Sequence, residues 1–218
     1  MSIINMSYIP RKWKWKPWQK TLLYYPLTSD LVDVMWNWNT GTMIGTCTFN
    51  NNTWVHVTWT SNNYIDNLSL WINNRNTFTQ IITFKYDSWE TIAWYQNTLA
   101  TNQAFKISTW GNTKIHQEII AWNSIIEYDT YPYDTNWHVS VITGNWTDYK
   151  FYLDWNLKKT VSNSSNVNNI WNLQIWWWWA YWTWRAGNWY AKDYIVEDYA
   201  RTDQQILEYC NQVLWSLS

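Results

Sequence analysis

The sequence predicts an all-β sandwich with one short helix at its C-terminal end. Three observations predict it. Short apolar or alternating runs recur along the 218 residues, separated by Asn, Asp, Ser and Thr. That is the punctuation of strands and turns, not of crossover helices. Period-two alternation is clean over 138–143 and 150–153, which sets one face toward a core and the other toward water. Only the end has helical spacing, with Ile206, Leu207, Cys210 and Leu214 on one stripe behind Asp203, a candidate cap.

Taken in order, residues 21–27 form the first strong strand. Further strands are expected at 55–59, 77–86, 91–96, 104–108, 114–121, 125–129, 137–143, 149–154, 157–161, 170–175 and 190–197, then a helix over 202–213. Residues 1–20, with Pro10 and Pro17 in a basic stretch, read as a flexible leader. Residues 21–214 read as one domain, a normal size for a sandwich.

Charge and composition exclude several classes. Fifteen basic and 16 acidic residues give a net charge of −1, which lacks the basic footprint of a nucleic-acid binder. With 21% aromatic and 14% charged residues, the chain is no disordered tail. No apolar run reaches the ~18 residues of a membrane span. The first residues show no apolar core of a secretory signal. Cys47 and Cys210 stand alone and fit neither a metal-ligand spacing nor a disulfide framework.

One pair of counts is out of line: 24 Trp against 5 Gly in 218 residues, where Gly alone is usually about 7%. The Trp residues also sit where turns are needed. Trp36 and Trp38 lie in Trp-Asn-Trp-Asn between two strand-like runs, and Trp146 and Trp155 each follow or precede Asn at a hairpin. A two-residue hairpin calls for φ > 0 and hence for Asp-Gly or Asn-Gly; a bulky residue there is a steric outlier. Four consecutive residues, Trp176, Trp177, Trp178 and Trp179, cannot all face one core. The pattern is that of a UGA-recoded gene, in which many of these Trp codons encode Gly. Trp94 and Trp137, in strand contexts, are expected to be true Trp, and Trp137 to be a buried core aromatic.

One block of residues is specific. Trp137-His138-Val139-Ser140-Val141-Ile142-Thr143 is followed by Gly144-Asn145-Trp146-Thr147, a strand from Tyr149 to Leu153, and Asp154-Trp155-Asn156. With Trp155 read as Gly, this is a Trp-His strand, a turn, and a second strand ending in an Asp-Gly hairpin. It closely resembles the laminin-G-like domains of the concanavalin A-like lectin/glucanase superfamily. The opening Leu23-Tyr24-Tyr25-Pro26-Leu27 with Asp33 and Gly41, and the closing Ile195-Val196-Glu197-Asp198-Tyr199-Ala200-Arg201-Thr202, resemble that family's two ends. The resemblance spans about residues 21–214. It implies a two-sheet antiparallel jelly roll, with Trp137, His138, Asp154, Trp155 and Asn156 as structural signature residues.

Catalysis is not expected. A glycosidase of this superfamily needs carboxylates in an E-x-D-x-x-E pattern. Glu127-Tyr128-Asp129 comes nearest, but Pro132 takes the third place. His56, His116 and His138 show no metal spacing. If Trp182 and Trp184 are Gly, the stretch to Gly187 spells G-x-G-x-x-G, but a strand rather than a helix is expected after it, which denies it a dinucleotide. That loop is instead the expected contact region, through Tyr181, Arg185 and Asn188.

The reading is therefore a non-catalytic, lectin-like module whose partner is a glycan or a surface protein. Neither nucleic acid nor membrane insertion is expected. No cofactor is expected, with a structural Ca²⁺ left open, and the setting is an extracellular surface or a virion. A structural or adhesive virion or tail component is the alternative, and a glycosidase a remote one. Fold alone does not choose among these.

Overall fold

A computed structural model describes residues 21–25, 41–44, 47–50, 54–57, 64–67, 77–86, 94–95, 105–110, 114–121, 124–130, 134–162, 173–176 and 189–217. The expected leader, residues 1–20, lies outside them. The described residues form fifteen strands and one helix. The strands are β1 (Thr21–Tyr25), β2 (Thr42–Ile44), β3 (Cys47–Asn50), β4 (Trp54–Val57), β5 (Tyr64–Asn67), β6 (Phe78–Tyr86), β7 (Trp94–Tyr95) and β8 (Phe105–Trp110). They continue with β9 (Lys114–Ala121), β10 (Ser124–Thr130), β11 (Trp137–Gly144), β12 (Asp148–Leu153), β13 (Asn156–Ser162), β14 (Leu173–Trp176) and β15 (Trp189–Glu197). Helix α1 is Asp203–Trp215.

The expected all-β sandwich with one C-terminal helix is what forms. An eight-stranded antiparallel sheet runs β13-β12-β11-β6-β15-β4-β3, with β1 paired to β15. The other described strands make a three-stranded sheet, β10-β9-β8, and a four-stranded sheet, β2-β5-β14-β7. Sequence-distant strands β6, β11 and β15 form the centre. There Ile81 lies opposite both Val141 and Ile195, so three branched side chains stack on one face.

The large sheet is covered on both faces. On one face α1 presses Ile206, Cys210 and Val213 onto Val139, Val141, Ile81, Ile195, Tyr24 and Tyr152. On the other, Gln117 of β9 donates to Ser140 Oγ at 2.5 Å and to the Tyr152 carbonyl at 3.0 Å. This corrects the expectation of a water-facing side for 138–143. From His138 to Gly144, β11 is buried throughout, and its polar positions are met by other protein groups rather than by water. Gly144 is also needed as glycine, because an added Cβ would overlap the Phe78 ring.

The helix start differs by one residue from the expected cap. Thr202, not Asp203, is the N-cap. Its hydroxyl accepts from the Gln205 amide, and the Gln205 side chain accepts from the Thr202 amide. This reciprocal capping box satisfies two otherwise orphaned donors. Asp203 then stands in the first turn, where a carboxylate suits the helix dipole. It receives Lys150 Nζ at 3.0 Å and Tyr152 Oη at 2.8 Å from β12.

Candidate functional site

Two neighbourhoods on the large sheet carry unusual chemistry. The first is where β11 begins and the β12–β13 hairpin turns. Asp154 and Trp155 occupy the turn with φ of 48° and 62°, the only positive values among the described non-glycine residues. These are the angles of a type I′ hairpin. Through this turn Asp154 returns to β11. One carboxylate oxygen accepts from the Val139 amide at 2.8 Å, and the other lies 2.7 Å from His138 Nδ1. The second imidazole nitrogen, Nε2, is 3.0 Å from Asp134.

A buried imidazole thus lies between two carboxylates. Burial by itself would lower the His138 pKa, but the bonds and charges of Asp154 and Asp134 outweigh it, and the pKa is raised. Burial pushes Asp134 up, yet the Asn136 amide and His138 win, and its carboxyl sits below the usual range. A glycosidic acid needs the reverse, a raised carboxyl. The arrangement ties two strands together and does not fit proton donation to a leaving group. Asp154 and His138, expected as signature residues, are joined here; Asn156 closes the turn by donating to the Asp154 carbonyl.

The second neighbourhood is a half-buried aromatic rim. Trp54, Trp137 and Tyr190 approach with ring centroids 5.9, 6.1 and 6.5 Å apart, all tilted or edge-on. Strands β11 and β4 are three steps apart in the sheet, about 14 Å at normal spacing. The two indoles must therefore lean toward each other across the sheet face. Trp137 is half-buried, not the core residue expected: it lies one alternation beyond Val139, which is in the core cluster packed against α1. The C-cap of α1, Ser216, accepts through Oγ from Lys192 Nζ at 2.9 Å, two residues from Tyr190 on β15. Lys85 lies directly opposite both Trp137 and Tyr190. Sequence reasoning missed this rim, because only the strand register brings Trp54, Lys85 and Tyr190 to Trp137.

The expected contact residues Tyr181, Arg185 and Asn188 lie outside the described residues, as do Trp36, Trp38 and the loop that spells G-x-G-x-x-G. The side chains of Glu127 and Asp129 and of Trp176 to Trp179 are likewise not described. Among the described residues no group of three or more His, Cys, Asp or Glu is placed to hold a metal, and no helix is long and apolar enough to cross a membrane.

Solved structures share this architecture. The likeness is one of fold. The receptor-binding domain of a botulinum neurotoxin C/D mosaic serotype superposes with a TM-score of 0.72 at 12% identity, over 88% of this chain and 51% of its own. Type C, whose cell entry depends on two ganglioside molecules, gives 0.73 at 12% over 89% of this chain and 51% of its own. The binding domain of Paraclostridial Mosquitocidal Protein 1 gives 0.73 at 12% over 88% and 52%. A further botulinum binding domain, solved with rat synaptotagmin II, gives 0.68 at 12% over 89% and 52%. This chain thus spans about half the length of those domains. They are toxin binding domains, not catalytic ones. No family model and no curated protein sequence matches the chain.

Proposed function

We propose that the chain is a non-catalytic, lectin-like recognition module that binds a glycan or another ligand at an extracellular surface. The observation that carries this reading is the fold shared with binding domains that engage gangliosides in one case and synaptotagmin in another. Because the chain matches about half of each, the ligand class comes by analogy. Its support within the chain is the aromatic rim: a sandwich face that ends in half-buried indole and phenol residues offers the kind of stacking surface sugars use. The concanavalin A-like, laminin-G-like assignment belongs to the same reading. It is supported by the Asp154 hairpin folding back on the Trp137-His138 strand.

The UGA-recoded origin is part of it too. Trp155 holds φ 62° with 41% of its surface exposed, a backbone that Gly adopts without cost and Trp does not. Trp146 is 72% exposed. Its turn is held instead by Asn145, whose side-chain oxygen accepts from the Thr147 and Asp148 amides, and φ there stays negative. Trp54 and Trp137 pack against each other, as tryptophans retained for their rings would. The coding sequence tests this: UGA is expected at codon 155 and UGG at codons 54 and 137.

A broad glycan array tests the function. Saturable binding to a defined subset of glycans is expected. An empty array at micromolar protein would move the reading to the structural or adhesive virion role.

A further inference from the structure

We infer that the Trp54–Trp137–Tyr190 rim, with Lys85 on the same face of the intervening strand, is a subsite for an acidic sugar, one that carries a carboxylate. The inference rests on the glycan-binding reading and adds to it a place and a charge. Four observations lead to it. The three rings form one cluster at the end of the sheet where β11 begins. All three are half-buried, so packing restrains the rings while part of each residue still meets solvent. Fixed aromatic surfaces bind at low entropic cost, because little side-chain freedom is left to lose.

Lys85 supplies the charge. In antiparallel pairing, residues directly opposite share a face, and Lys85 is opposite both Trp137 and Tyr190. Its long stem can lie along the rings while the ammonium reaches water. Among the described residues no carboxylate pairs with it: the ion pairs there involve His138, Lys150 and Arg201, and no side-chain hydrogen bond of Lys85 is found among them. A cation on the same face as the rings and without an internal counter-ion is complementary to an external carboxylate.

Finally, the indole Nε1 of Trp54 is buried without an acceptor. A buried unmet donor destabilises a fold, so this corner is not arranged for stability alone.

The test compares sialyllactose with lactose as probes, on the wild-type chain and on Lys85→Gln. Wild type should prefer sialyllactose, and the preference should weaken as salt is raised. Lys85→Gln should lose about tenfold in affinity for sialyllactose, the size of one charge-assisted hydrogen bond, and leave lactose binding unchanged. Tyr190→Ala should weaken both sugars. Circular dichroism melts show that each variant is folded. If wild type prefers sialyllactose and folded Lys85→Gln and Tyr190→Ala bind it equally well, the sugar sits elsewhere: the subsite is overturned and glycan recognition stands. If wild type binds lactose and sialyllactose equally, the charge selection is overturned. If it binds neither sugar and the glycan array is empty as well, both the subsite and glycan recognition fall.

Discussion

Asp154 holds His138 from the far end of a hairpin, its carboxylate 2.7 Å from Nδ1 while its backbone turns through φ 48°. The second carboxylate oxygen takes the Val139 amide, and the Asp154 amide donates to the Val139 carbonyl at 2.9 Å. Three bonds thus fix the register between the start of β11 and the end of β12. A slip of one residue would break all three and turn Phe151 and Leu153 to the other face.

A pH dependence follows from this link. His138 is raised above its ordinary 6.5, so its stabilisation is complete below that pH and is lost as pH rises through the folded value. Asp134 is lowered below 3.8, so its contribution is present above that pH and lost as acid approaches the folded value. Urea midpoints should therefore decline in wild type as pH rises above 6.5, and His138→Gln should flatten that limb. An unchanged slope in His138→Gln would remove the imidazole from the account.

At the turn itself, Trp155→Gly should stabilise the chain by about 1 kcal/mol, because Gly relieves the left-handed strain of a bulky residue. For a protein of this size that raises Tm by roughly 2–4 °C. Trp146→Gly, at ordinary φ, should give no such gain. Differential scanning calorimetry of the two variants checks the contrast, and equal shifts would contradict it.

Glu197 and Arg201 form a bidentate pair of 2.7 Å bonds next to the helix start, with side chains 0% and 6% exposed. Arg201 also lies 5.0 Å over the Tyr209 ring, and its amide donates to Thr79 Oγ1. Arg201→Met should cost about 3–5 kcal/mol, since it strands a buried carboxylate. Adding Glu197→Gln should recover part of that loss. Equilibrium urea unfolding of both variants would show it; a double variant no better than the single would mean the ring and backbone contacts of Arg201 dominate.

Cys210 is buried under the β12–β13 hairpin, and burial pushes its thiol up to about 12. In a Cys47→Ser background, thiol reagents should react with Cys210 only at the rate of unfolding. Fast labelling of the native chain would show that α1 opens locally.

Much of the architecture was legible because its signals are local. The block from Trp137 to Asn156 announced two strands and an Asp-led two-residue turn, and the stripe of Ile206 and Cys210 announced the helix. Strands β2, β3 and β5 escaped notice, since three or four residues such as Thr42–Ile44 carry too little alternation to register. The cap was misplaced by one because Thr202 and Asp203 are both good caps, and only the reciprocal Gln205 bond decides. The burial of β11 on both faces was hidden for a different reason: it depends on Gln117, supplied by a strand of another sheet. The aromatic rim was invisible for the same reason, as Trp54, Lys85, Trp137 and Tyr190 sit on four strands whose order no local pattern reveals.

The central claim is recognition of a saccharide without turnover. Its most direct test is a calorimetric titration of the purified chain with the oligosaccharide that binds best on the array, followed by recovery of that oligosaccharide for mass analysis. The account predicts a saturable heat and an oligosaccharide recovered intact. The absence of a saturable heat, or the appearance of shortened sugar, would contradict it.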